Sequence, residues 1–112
     1  MRIAIPLTDS KLSSHFGHCE QFAVIDIDPD KKTITNTELF TPPHHEPGVL
    51  PKWLSGLCVN VIIAGGMGQR AQMLFQENNI NVIVGAPQAD AEQLVKDYLA
   101  GNLVCGQNVC DH

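Results

Sequence analysis

Apolar positions recur along the chain with two different periods, and the switches between them mark its elements. Arg2 to Pro6 (RIAIP) is a short apolar run of the kind that forms a buried strand, with Pro6 marking its end. Leu7 to Glu20 is polar and irregular. Gln21 to Asp28 and Thr33 to Phe40 are rich in β-formers, and Asp28-Pro29-Asp30-Lys31 supplies the turn chemistry that makes them a hairpin. From Val49 the period becomes helical, with Leu50, Trp53, Leu54 and Leu57 on one face and Pro51 tolerated in the first turn. Val61 to Ala64 is again a buried strand, and Gly65-Gly66-Met67-Gly68 breaks it. Met67, Ala71, Leu74 and Phe75 then define a helix ending near Asn78-Asn79.

Ile80 to Val84 is a further short strand, closed by Gly85-Ala86-Pro87. Asp90 with Gln93 three residues on has the pattern of a capping box. Ala91, Leu94, Val95, Tyr98 and Leu99 form the stripe of a last helix, and Gly101 stands where a C′ glycine belongs. The order is strand, hairpin, helix, strand, helix, strand, helix. Two strand–helix–strand crossovers require parallel strands with helices on the sheet faces. The expected fold is α/β: a single domain over residues 1–112 with a mixed five-stranded sheet and flanking helices.

Composition narrows the function. At 112 residues the chain has room for one core. Its net charge of -5, with seven scattered Lys and Arg, excludes the basic face that nucleic-acid binders carry. Met1 to Pro6 is too short for a secretory signal, and no apolar run approaches the length of a membrane span. The expectation is a cytoplasmic protein with no nucleic-acid or membrane partner. Its four cysteines and five histidines are then read as core residues or ligands rather than as disulfides.

Candidate chemistry gathers in two places. The first is the glycine turn, where three glycines in four residues let backbone N–H groups approach a ligand at a helix N-terminus, whose partial positive charge favours anions. Gly66-Met67-Gly68-Gln69-Arg70-Ala71 fits the dinucleotide pattern GxGxxG/A, but the next strand ends in Val84-Gly85-Ala86 with no carboxylate to hold a ribose, and no GK[ST] follows. The second is a set of soft ligands. His15, His18 and Cys19 lie in the first loop, His44 and His45 in a proline-rich loop, and Cys105, Cys110 and His112 in the tail. Imidazole and thiolate suit zinc, copper, iron and iron–sulfur species, although no CxxC pair is present. Cys58, at the opening of a strand, is read as a small core residue. Clustered carboxylates for a magnesium nuclease and a GxSxG nucleophile elbow are both absent, so a non-catalytic role is expected. A binding module for a phosphate-bearing small molecule and a thiol-dependent enzyme stay open as alternatives.

Four stretches together carry a family resemblance: His15-Phe16-Gly17, the loop His44-His45-Glu46-Pro47-Gly48 running into Leu50-Pro51-Lys52-Trp53-Leu54, Gly65-Gly66-Met67-Gly68-Gln69-Arg70-Ala71, and the ending Asn108-Val109-Cys110-Asp111-His112. The chain resembles the dinitrogenase iron–molybdenum cofactor biosynthesis family, of the NifX and NifB C-terminal-domain type. The resemblance implies a ribonuclease-H-like fold without nuclease residues. It also implies a role in transiently binding or carrying an iron–sulfur or molybdenum-containing cluster between donor and acceptor proteins. By position it marks His15, Phe16, Gly17, Gly65, Gly66, Gly68 and Arg70 as cluster-binding residues, and Cys110, Asp111 and His112 as matching the family's ending. His15, His18, Cys110 and His112 are the candidate metal contacts. Cys19 and Cys105 are not fixed positions of the family.

Overall fold

The computed structural model describes residues 1–8, 11–12, 21–28, 30–42, 49–87, 89–101 and 103. Their order is β1 (Arg2–Thr8), β2 (Lys11–Leu12), β3 (Gln21–Asp28), β4 (Thr33–Phe40), α1 (Val49–Gly56), β5 (Val61–Ile63), α2 (Gln69–Glu77), β6 (Asn81–Ile83) and α3 (Ala91–Ala100). The sheet runs β4-β3-β1-β5-β6, with β2 paired to the end of β1. β1, β5 and β6 are parallel, and β3 is antiparallel to both β1 and β4. The α/β class, the mixed sheet and the three helices are as the periodicity predicts. The sheet has six strands rather than five. β2 is only two residues long, too short to leave a pattern, and is held by its pairing with Leu7 and Thr8 and by the Leu12 N–H donating to the Ala89 carbonyl at 3.1 Å.

Pro6 does not end its strand. β1 continues to Thr8, with Pro6 buried opposite Phe22. The parallel ladder to β5 covers only Ile3 and Ala4, so Pro6 falls past it and removes no rung there.

Alternation splits the strand residues into two cores. Ile3, Ile5, Leu7, Ile25, Ile27, Val61 and Ile63 face α3, which contributes Leu94 and Val95. Ala4, Phe22, Val24 and Ile62 face α1 and α2, which contribute Leu50, Leu54 and Phe75. Trp53 fixes α1 to this face through edge-on contacts with Phe22, at 5.7 Å between ring centroids, and Phe40, at 6.2 Å.

Two helices end alike. After α1 the Val59 N–H reaches the Leu54 carbonyl and the Cys58 N–H that of Ser55. After α2 the Ile80 N–H reaches Phe75 and the Asn79 N–H reaches Gln76. These paired bonds are Schellman closures, each with its apolar contact between the last turn and the residue beyond it. They place Cys58 at φ 63° and Asn79 at φ 62°, the left-handed position usually held by glycine. Cys58 is therefore exposed in a turn, not a core residue, because the closure and not the strand decides its backbone. At α3, Asp90 is the N-cap and Gly101 the left-handed C-terminal residue at φ 75°. The capping box does not form. Asp90 makes no side-chain cap bond, and Gln93 donates instead to the Asp97 carboxylate at 2.9 Å.

A brace ties the opposite end of the sheet. Arg2 Nε donates to Asp26 Oδ1 at 2.6 Å and its Nη1 to the Leu57 carbonyl at 2.6 Å, while Arg2 and Asn60 exchange further bonds at 2.9 Å. The hydrogen bond to Asp26, then its charge, raises the guanidinium above its ordinary pKa.

Candidate functional site

The carboxyl ends of β1, β4, β5 and β6 lie along one edge of the sheet, where open α/β folds place their ligands. The glycine turn is at this edge. So are the described ends of segment 13–20, which joins Leu12 to Gln21 and carries His15, Phe16, Gly17, His18 and Cys19. β4 also ends at this edge, and segment 43–48, with His44 and His45, comes after it in the sequence. Those six-plus-eight residues lie outside the described residues, as do Cys105, Cys110, Asp111 and His112. The tail begins beyond α3, a helix whose ten residues span about 15 Å. Of the expected site residues, Gly65, Gly66, Gly68 and Arg70 are therefore the ones whose geometry is described.

That geometry is one-sided. The Ala64 carbonyl accepts from the Ala86 N–H at 3.2 Å, and the Gly65 carbonyl from the Gly85 N–H at 3.1 Å. The Met67 carbonyl accepts from Gln72 Nε2 at 2.9 Å, and the Gly68 carbonyl from the Gln72 N–H at 3.1 Å. The turn's oxygens are thus largely tied into the protein. By contrast, the N–H groups of Gly66, Gly68, Gln69 and Arg70 have no acceptor among the described residues. A helix begins with unpaired N–H groups that need a side chain, water or a ligand. Here the N-cap is Gly68, which supplies no side chain, and the first turn of α2 holds no acidic residue. Arg70 is exposed in that first turn and adds a full positive charge to the helix dipole.

The glycines of the turn are matters of space rather than of backbone handedness. None of Gly65, Gly66 and Gly68 is left-handed; Gly68 has φ −66° and ψ 156°. Gly65 and Gly66 are buried, so what they offer is the absence of a side chain. The left-handed glycine is Gly85, at φ 81°, across from Gly65. Periodicity alone does not single it out, although its place in the Gly85-Ala86-Pro87 turn is a signal.

Nothing in the periodicity or the motifs singles out Thr8 either. It ends β1 at this edge, and alternation from Ala4 puts it on the α1 and α2 face. Its hydroxyl oxygen is buried without a partner, the one such side-chain atom among the described residues. A buried hydroxyl left unpaired costs about 1–3 kcal/mol, so it needs an explanation. On the opposite face, an open groove of about 610 Å³ runs between β4 and α3, lined among others by Leu7, Ala23, Leu39 and Glu92. It contains none of the expected site residues. Among the described residues no three His, Cys, Asp or Glu side chains converge as a metal site would require, and no helix is long and apolar enough to cross a membrane.

Known proteins share this architecture. An uncharacterised protein of Methanocaldococcus jannaschii, MJ0580, is 30% identical over 107 residues, covering 92% of this chain and 89% of its own. The crystal structure of PH0822 superposes with a TM-score of 0.85 at 29% identity, covering 94% of each chain. The apo form of the orange protein of Desulfovibrio gigas has the same fold, with a TM-score of 0.72 at 22% identity over 96% of this chain and 93% of its own. Residues 1–101, which include the whole glycine turn and stop short of Cys110 and His112, match the family described as dinitrogenase iron-molybdenum cofactor, and the chain belongs to that family.

Proposed function

We propose that this protein carries or helps assemble an anionic metal–sulfur cluster, iron–sulfur or molybdenum-containing, held transiently over the glycine turn without catalysis. The observation that supports this most is the one-sided turn: N–H groups with no acceptor among the described residues, carbonyls largely tied into the protein, no acidic residue in the first turn of α2, and Arg70 alongside. Sulfide-rich clusters are anionic, and oriented amides at a helix N-terminus attract anions. The family to which the chain belongs supports the choice of cargo.

In this reading His15, His18, Cys110 and His112 supply direct metal contacts, and Phe16 and Gly17 complete the first loop's share. Release matters as much as binding. Amides and one arginine hold an anion without the permanence of several thiolate bonds, which suits delivery from a donor protein to an acceptor. The reading covers residues 1–112 as one cytoplasmic domain. It also retains the ribonuclease-H-like assignment, supported by a hairpin followed by two parallel crossovers around a central β1.

Anaerobic titration with tetrathiomolybdate and with a reconstituted iron–sulfur species, followed by visible absorption and metal content, tests it. Stoichiometric uptake that weakens in Arg70→Ala and His15→Ala is expected. Absence of uptake by the native protein overturns the reading. Tighter binding of inorganic phosphate than of either metal species would instead favour a phosphate-binding module.

A further inference from the structure

A trans peptide points its carbonyl and its N–H to opposite sides. Whatever holds the Met67 carbonyl therefore aims the Gly68 N–H. That holder is the side chain of Gln72, half-buried one turn into α2, whose Nε2 donates to the Met67 oxygen at 2.9 Å. The Gln72 backbone N–H meanwhile donates to the Gly68 carbonyl at 3.1 Å, so one residue grips the peptide units on both sides of Gly68. We infer that Gln72 is a positioning residue which locks the Met67–Gly68 peptide with its N–H toward the ligand and its carbonyl toward the protein. This inference rests on the carrier reading of the glycine turn.

The lock matters because Gly68 alone would not provide it. Turning the Met67–Gly68 peptide over changes ψ of Met67 and φ of Gly68, and a glycine accepts either sign of φ without steric cost. With the peptide inverted, a carbonyl oxygen would face the seat in place of an N–H, and the same turn would repel an anion. The first half of the turn needs no such lock, because the Gly65 carbonyl is already held by the Gly85 N–H of the neighbouring crossover. Gln72 thus holds the second half in that polarity from within α2. The Thr8 hydroxyl, buried with no hydrogen-bond partner among the described residues, lies on the same face and at the same edge.

The test uses the full chain with Gln72→Met, which keeps length and helix propensity but cannot donate, and Gln72→Glu, which presents an acceptor to the Met67 carbonyl. Each is titrated anaerobically with tetrathiomolybdate, and the Met67 ¹³C carbonyl and Gly68 ¹⁵N resonances are recorded without ligand. Expected are a loss of affinity of about tenfold for Gln72→Met, the scale of one hydrogen bond to a charged group, and a larger loss for Gln72→Glu. Both resonances should move in both variants, while the melting temperature of Gln72→Met stays within a few degrees of native. Binding within twofold of native in both variants, with the Gly68 resonance unmoved, overturns the inference. Native protein that takes up no tetrathiomolybdate sinks the carrier reading instead. In that case the resonances alone decide the lock: unmoved shifts reject it and moved shifts support it.

Discussion

Replacing Thr8 with valine should make the protein more stable, the opposite of what most substitutions at a strand end do. Valine keeps the β-branched shape of threonine and suits a strand, so the change exchanges one hydroxyl for one methyl. In the native protein that hydroxyl is desolvated and has no partner among the described residues. Removing it relieves a cost of about 1–3 kcal/mol, from which imperfect fit of the methyl subtracts a part, leaving a gain of about 1–2 kcal/mol. With an unfolding entropy of about 2.1 cal/mol/K per residue over 112 residues, 1 kcal/mol corresponds to about 4 °C. Calorimetry of Thr8→Val should therefore show Tm rising by about 4–8 °C. Thr8→Ser, which keeps the hydroxyl and loses the methyl, should show no such rise. If the hydroxyl is kept for a ligand, Thr8→Val will also bind tetrathiomolybdate more weakly, so stability and binding move in opposite directions. A Tm equal to or below the native value refutes the reasoning, because it means the hydroxyl is satisfied in solution.

Four further outcomes follow from particular residues. Arg70→Ala, at an exposed position, should leave Tm within about 2 °C of native while weakening tetrathiomolybdate binding about tenfold, with a shallower salt dependence; unchanged affinity in titration would remove Arg70 from the site. Gly85→Ala forces a side chain into a left-handed backbone at φ 81° and should cost about 1–2 kcal/mol by chemical denaturation, with loss of binding as the Gly65 anchor shifts. Cys58→Gly relieves the same strain at φ 63° and should gain about 1 kcal/mol with binding untouched, since Cys58 is exposed at the far end of α1. The raised pKa of Arg2 means its contribution is complete below the ordinary guanidinium range and is lost only as pH rises through the higher folded-state value. The Tm difference between native protein and Arg2→Met should thus stay flat from about pH 6 to about 10, and a slope there would contradict the assignment.

The elements were largely legible in the sequence because each is a local property. Period-two and period-3.6 patterns placed both hairpin strands, the three helices and the two short parallel strands within a few residues, and Gly101 was identifiable as a left-handed C-terminal residue. A local signal misleads where its residue has a non-local job. Pro6 looks like a strand end, yet pairing with β3 carries the chain through it to Thr8. Asp90 and Gln93 look like a capping box, yet Gln93 finds Asp97. Cys58 looks like core, yet the helix closure turns it to solvent. β2 exists only because Leu12 meets both β1 and Ala89.

The sequence by itself determined that the protein is α/β, that a glycine turn opens its second crossover helix, and which family it resembles, since periodicity and motif are written along one dimension. The polarity of that turn was decided only by tertiary structure. Hydrogen bonds from Gly85 and Ala86, beside the neighbouring strand, and from Gln72, one helical turn on, take up the carbonyls of Ala64, Gly65, Met67 and Gly68, while the N–H groups of Gly66, Gly68, Gln69 and Arg70 have no acceptor among the described residues. No spacing rule reveals which half of a peptide bond will be used up, because that depends on what the fold brings alongside.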